Sequence, residues 1–309
     1  MVDFRYHIVS IVAVFLALGI GLLMGSGVVG EPLLDNIRSR ARDVQAFNDR
    51  LKDDVVDLEE ELSVARRFTE TVEPMLIEGR LAGEEVVIVD LAGGDLSLDA
   101  LMEALEDRAG ATVVSIITVS DDFSLSSEED HGELATITGS TTSDPDELRQ
   151  EAARQLGARI AALAGERRGG TNRSLAYVQQ LEDAGFLDVA EEVEAAPVPP
   201  GAKVVVAATG SSEPLFRVDL LVTSLAQGLA ASPAPVVVVE ESGSAWGIAG
   251  SIRGDGDLSN SVGTVDNVDK LSGRIALVMA LDRVEGEGVG HFGEKSGASS
   301  VIPEPGLRD

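Results

Sequence analysis

Residues 84–95 read EEVVIVDLAGGD, and they set four consecutive apolar side chains, Val86–Val89, before an acid, a leucine, an alanine and a glycine pair. A short β-branched run without polar alternation, closed by glycines, reads as a strand buried on both faces. The amphipathic LDALMEALEDRAG (98–110) follows as a helix, and ATVVSIITVS (111–120) as a second strand. This β–α–β texture returns in AKVVVAATGSSEP (202–214), PLFRVDLLVTSLAQGLAAS (214–232) and PAPVVVVEES (233–242). Apolar strands alternating with helices predict a mostly parallel, Rossmann-like sheet covered by helices on both faces.

Outward from this core, residues 146–165 and 172–184 read as two further helices, and SLSSEEDHGELATITGSTTSDP (124–145) as a long exposed connection. SVGTVDNVD (261–269) reads as a strand and turn, and KLSGRIALVMALDRV (270–284) as a final helix. The Gly-rich residues 285–309 are expected to form a flexible tail. The predicted organisation is a transmembrane anchor over 1–30, a coiled-coil stalk over 31–82, an α/β domain over 83–284 and the tail.

The anchor rests on Ile8–Val29, 22 residues without a charge. A helix of that length is about 33 Å long, near the thickness of a bilayer's hydrocarbon core. The segment is longer than a signal peptide's apolar region, and one acid (Asp3) and one base (Arg5) replace the usual basic start. An uncleaved anchor is the reading, although Gly25 and Gly27 are small enough for a peptidase. Ala13, Ala17, Gly21 and Gly25 recur every four residues, a spacing that lets two membrane helices approach closely. Chance gives the same ladder in an Ala- and Gly-rich span. The flanking bases leave orientation open, because the positive-inside rule governs short loops.

In the stalk, Leu34, Ala41, Asn48, Val55, Leu62 and Thr69 fall at one position of a heptad. Ile37, Val44, Leu51, Leu58, Ala65 and Val72 fall at the other core position. Ten of these twelve are apolar and the register holds for six heptads, a pattern that predicts a long parallel coiled-coil homodimer with Asn48 fixing register. Pro74 is expected to end the helix at Glu73.

Composition excludes several functions. The chain has 309 residues and a formal net charge of −29. Residues 81–309 hold 39 Asp or Glu against 15 Lys or Arg, so nucleic acid and anionic lipid headgroups are repelled and basic partners favoured. There is no cysteine, hence no disulfide, thiolate site or cysteine nucleophile. His7, His131 and His291 are scattered, and no G-x-S-x-G elbow occurs. The Gly-containing turns DLAGGD (90–95) and ATGSSEP (208–214) stand where α/β folds bind ligands, yet neither has dinucleotide or Walker A spacing. Ordinary strand-to-helix turns are the plainer reading, and no catalytic residue or cofactor is expected. Met1, Met24, Met75, Met102 and Met279 make no close pair, and His131 in EEDHGE reads as part of a solvated loop, so no metal site is assigned. A membrane barrel is excluded by strands apolar on both faces and by scarce aromatic residues.

Two end motifs carry a family resemblance. DFRYHIVSIVAVFLALGIGLLMGS (3–26) and VGTVDNVDKLSGRIALVMAL (262–281) resemble the terminal signatures of the actinobacterial copper transport protein B (MctB) family. The resemblance implies an envelope protein with its large domain outside the cytoplasm, linked to copper transport or homeostasis, some relatives being described as outer-membrane channel formers. It equally implies an alternative: SteB-like relatives act with a partner, SteA, in daughter-cell separation through control of septal peptidoglycan hydrolysis. Copper enters only through this resemblance. The residues themselves favour a membrane-anchored dimer, in contact with lipid, that acts as an interaction protein; that its partner is SteA-like or another envelope protein is what the resemblance implies.

Overall fold

A computed structural model describes residues 4–27, 30–91, 98–165, 171–191, 197–208, 217–283 and 288–304. The chain forms two compact units, Met1–Phe68 and Thr69–Asp309.

The first unit is helical. Helix α1 (Phe4–Gly27) is an apolar rod of 24 residues, and α2 (Gly30–Ile77) spans 48. Pro32 sits in the first turn of α2, where its missing N–H leaves no intrahelical bond unmade. Beyond it, Leu, Arg and Glu recur through the helix, all good helix formers, and Arg38 reaches Asp35 at 3.5 Å across one turn.

Pro74 does not end α2, which continues to Ile77 inside the second unit. Tertiary burial explains the difference. Ile77 and, just beyond, Leu81 are fully buried, and the Pro74 carbonyl accepts the Glu78 N–H at 3.0 Å. Burying one isoleucine contributes about 1.5–3 kcal/mol, of the same order as the roughly 3 kcal/mol a helical proline costs.

The second unit is built on a seven-stranded sheet of β1 (Glu85–Asp90), β2 (Thr112–Val119), β3 (Leu187–Glu191), β4 (Lys203–Ala207), β5 (Val236–Val239), β6 (Gly263–Val265) and β7 (His291–Phe292). Their order is β3-β2-β1-β4-β5-β6-β7. Every neighbouring pair is parallel except β2 and β3. Period-2 geometry sorts the apolar runs between two cores. Val87, Val89, Val204 and Val206 join one core with α5 (Pro145–Gly165), α6 (Thr171–Asp183), α7 (Val218–Leu229) and α8 (Ile248–Gly254). Val86, Ile88, Val205 and Ala207 join the other with α3 (Leu98–Met102) and α9 (Leu271–Leu281). The α/β reading thus holds in its outline.

Four details depart from the sequence reading. The 124–145 connection contains a helix, α4 (Glu128–Thr138), started by a Ser127–Asp130 capping box, stopped by Gly139 in a left-handed conformation and pinned by buried Leu134. The 98–110 helix widens after α3 into a π-helical turn over Glu103–Arg108, which keeps Leu101, Ala104 and Leu105 together in the core. Strand β3 was not foreseen. It alternates buried Leu187 with exposed Asp188 and pairs antiparallel at the sheet edge, where a half-buried strand belongs. Residues 288–304, expected within a flexible tail, add β7 to the opposite edge and pack against α8 and β6.

Strand order reverses between β1 and β4, so the crevice beyond Asp90 and Ala207 is the topological switch point of the fold. Burial pushes the Asp90 carboxyl above its ordinary range there. The Gly-containing turns singled out in sequence follow β1 and β4 in the chain, and their residues 92–97 and 209–216 lie outside the described residues.

Candidate functional site

Functional promise lies on the two long helices, α1 and α2, and in one buried cluster of the second unit. On α1, Phe4–Gly25 is a 22-residue stretch with a mean hydropathy of 2.6, and none of it is buried within the chain. Among the described residues it is the one helix long and apolar enough to cross a membrane. Ala13, Ala17, Gly21 and Gly25 occur at every fourth position along it, and nothing in the chain approaches within 4 Å of a methyl built at Gly21 or Gly25.

On α2 the heptad residues share one face, as three- and four-residue spacing requires. Ile37, Val44, Leu51, Val55, Leu58 and Leu62 are all exposed, from 45% at Leu51 to 67% at Leu62. Ala41, Asn48 and Ala65 are exposed beside them. Leu34 is on the helix, its side chain outside the described set, and Val72 is half-buried in the second unit. So long a row of bare aliphatic side chains is far more than a soluble monomer ordinarily leaves in water.

In the second unit the chemistry gathers at the carboxyl ends of β5 and β6, where the residue after each apolar strand is a fully buried acid. Glu240 accepts the backbone N–H groups of Gly247 (2.9 Å), Ile248 (3.3 Å) and Ala249 (3.1 Å), capping α8, and Lys295 approaches it at 3.4 Å. Asp266 pairs with Arg253 at 2.6 Å, the two side chains being 0% and 5% exposed. Its other oxygen accepts the N–H groups of Glu294 (2.6 Å) and Lys295 (3.1 Å). Arg253 also donates to Thr264 Oγ1 (2.9 Å) and to the Phe292 carbonyl (2.8 Å). A buried charge persists only when paired and hydrogen-bonded, and these groups meet that condition by holding the chain's own residues 292–296.

Sequence reasoning missed this cluster and pointed to the turns after β1 and β4. The available signal was an acid directly after an all-apolar strand, as in VVVVE and GTVD, because such an acid is carried to the carboxyl edge of a buried sheet.

Of the histidines, His131 lies on α4 with Nε2 buried and without a hydrogen-bond partner. Both ring nitrogens of His291 have protein partners, Thr264 Oγ1 and the Ser259 carbonyl, each at 3.0 Å. The described methionines are dispersed, Met24 on α1, Met75 on α2, Met102 on α3 and Met279 on α9. Among the described residues no three His, Cys, Asp or Glu side chains converge as a metal-binding group. The donor set that is present offers copper no coordination by Cys or paired Met.

Comparison with known proteins is consistent along the whole chain. A family model described as "Copper transport outer membrane protein, MctB" matches residues 1–303. Copper transporter MctB of Mycobacterium tuberculosis is 28% identical over 97% of this chain and 99% of its own length, and so is that of Mycobacterium bovis. Copper transporter MctB of Mycobacterium leprae is 25% identical over 98% of this chain and its own full length. With its anchor-like α1, its mixed sheet and both end motifs inside one continuous match, the chain belongs to the MctB family of copper transport proteins.

Proposed function

We propose that the protein is a single-pass, parallel coiled-coil dimer of the cell envelope, with its head outside the cytoplasm, that serves copper handling as a non-enzymatic scaffold for another protein. The observation that carries this reading is the α2 seam: six large aliphatic residues in unbroken heptad register, all at least 45% exposed in the single chain. A second copy in parallel register covers them, and Asn48 at a core position selects two strands over more. The α1 span of each copy then enters the membrane beside the other, where small residues at four-residue spacing permit close approach.

Copper comes to this reading from the relatives' name. The one apolar span among the described residues of each chain encloses no pore in a dimer, and no described donor set suits Cu(I), so in this reading the metal is assigned to a partner that the dimer organises. The surplus of acid in residues 81–309 favours a partner with a basic docking face. That same feature supports the alternative reading, a cell-separation scaffold acting with a SteA-like protein.

The test uses the full chain in lipid nanodiscs, with mass from light scattering and copper titrated by calorimetry on the same sample. Two chains per particle and no stoichiometric copper uptake are expected. One chain per particle would refute the dimer, and tight binding of one or more copper ions per chain would refute the scaffold.

A further inference from the structure

We propose that residues 288–304 are a pH-released strap: protonation of His291 frees the segment from the carboxyl edge of β5 and β6 and uncovers Asp266, Arg253 and Glu240.

The strap is joined to the sheet by little backbone. Strand β7 has two residues, paired with β6 at Thr264↔His291 and Val265↔Phe292 and flanked by Thr264 N–H on the Gly290 carbonyl (3.0 Å) and Asp266 N–H on the Phe292 carbonyl (3.2 Å). Beyond the ladder, Phe292 is buried in the core shared with α9 and Ile302 packs against that core, while the polar attachment runs through Arg253, Asp266, Glu240, the Lys270–Glu294 pair and the His291 ring.

A directional relay fixes the state of that ring. Arg253 has donors only, so its Nε–H gives to Thr264 Oγ1 at 2.9 Å. Because the Ser259 carbonyl can only accept from the other ring nitrogen, Nδ1 of the neutral His291 ring accepts the Thr264 hydroxyl proton at 3.0 Å. The opposite nitrogen, Nε2, carries the remaining proton and donates to the Ser259 carbonyl at 3.0 Å. One neutral tautomer satisfies all three groups. An imidazolium has two N–H donors and no acceptor; its new Nδ1–H makes the Thr264 hydroxyl accept a second N–H and leaves the hydroxyl's own proton without its partner, and its charge is added beside a guanidinium only 5% exposed.

The surrounding charges do not offset this. Asp266 is held by Arg253 and by the Glu294 and Lys295 N–H groups. In the turn that carries Ser259, Asp255 accepts the Asp257 and Leu258 N–H groups (3.0 and 3.1 Å), and Asp257 is exposed. Glu294 pairs outward with Lys270 at 2.6 Å. Arg283, on the strap's other side, lies over the Phe292 ring at 5.6 Å and adds positive charge.

Burial is the main cause that moves the His291 ring below the ordinary histidine value; the Ser259 carbonyl opposes it, and Arg253 reinforces it. The docked strap therefore holds fewer protons than the released one. Docking is firmest above the unperturbed histidine pKa of about 6.5, weakens as pH falls through it, and stops weakening below the depressed docked value.

The native chain has no cysteine, so a Val301→Cys substitution at a position 46% exposed accepts a single nitroxide label. Electron paramagnetic resonance of the full chain in detergent, titrated from about pH 8 to about pH 5, should show an immobilised label whose mobile fraction grows several-fold through the histidine range. A His291→Gln background should abolish that pH response. A spectrum constant over the titration, or an equal response in the His291→Gln chain, overturns the proposal. Should that variant leave the strap undocked at every pH, ring-proton NMR of the native chain decides instead. A His291 pKa below the ordinary value sustains the strap, and one at or above it refutes it.

Discussion

Gly157 on α5 and Gly228 on α7 meet backbone to backbone. A methyl built at Gly157 would overlap the Leu225 carbonyl, and one at Gly228 would overlap the Arg154 carbonyl. Alanine is the better helix former by about 1 kcal/mol, so in an open helix either replacement would stabilise. Here the two helices would have to part, and Gly157→Ala and Gly228→Ala are each expected to lower stability by about 1–3 kcal/mol. Denaturant unfolding followed by Trp246, the chain's one tryptophan, reads the loss. The double variant should lose less than the sum, because both changes strain one contact. Raised midpoints in both single variants would mean that the helices are not this close.

Asp266→Asn removes the counter-charge of a buried guanidinium, and a loss of about 3–5 kcal/mol is expected. Lys270→Ala breaks a pair of equal length, 2.6 Å, whose side chains are 45% and 42% exposed, and should cost about 0–1 kcal/mol. Thermal unfolding of the two variants side by side checks the contrast. Equal losses would show that Arg253 finds another partner.

Leu58→Asp puts a charge in the middle of the proposed seam and should convert two chains per particle to one in light scattering. Asn48→Leu should do the reverse, raising the melting temperature while relaxing the preference for two strands. A particle mass indifferent to both substitutions would rule out this register.

Ser127→Ala removes one half of the α4 capping box and should cost about 1 kcal/mol. The loss is expected to be local. Amide exchange over Glu128–Thr138 should quicken while that of β1 and β4 stays unchanged. Quickening across the sheet would place α4 in the cooperative core.

The central strands were legible because Val86–Val89, Val204–Val206 and Val236–Val239 are buried on both faces, so their apolar character is uninterrupted. Strand β3 was not, since Leu187 and Asp188 face opposite ways and so short an alternation resembles a loop. Helix α4 was hidden by its acidic first turn, with Leu134 its one fully buried anchor. Pro74 misled because a local rule was overruled by the burial of Ile77. The exposed heptad face of α2 could be read residue by residue, since it needs only spacing along one helix. The carboxyl-edge cluster could not. Asp266 lies in a motif that sequence reading singled out, but its meaning depends on Arg253, 13 residues before it, and on Glu294, 28 residues after it. Such long-range pairing leaves no periodic trace.

The ends of the sheet bear on how the protein survives crowding. A parallel sheet that simply stopped at β6 would present a bare row of N–H and C=O groups, a template on which other chains polymerise. At that margin lies instead a strand of two residues, whose outer side is bridged by Ser300. The far margin is turned antiparallel and carries the exposed charge of Asp188. Neither border offers a long, flat, neutral strand for a neighbour to extend. Edge-to-edge pairing of sheets from neighbouring copies is thereby discouraged, which guards the population against fibrous aggregation.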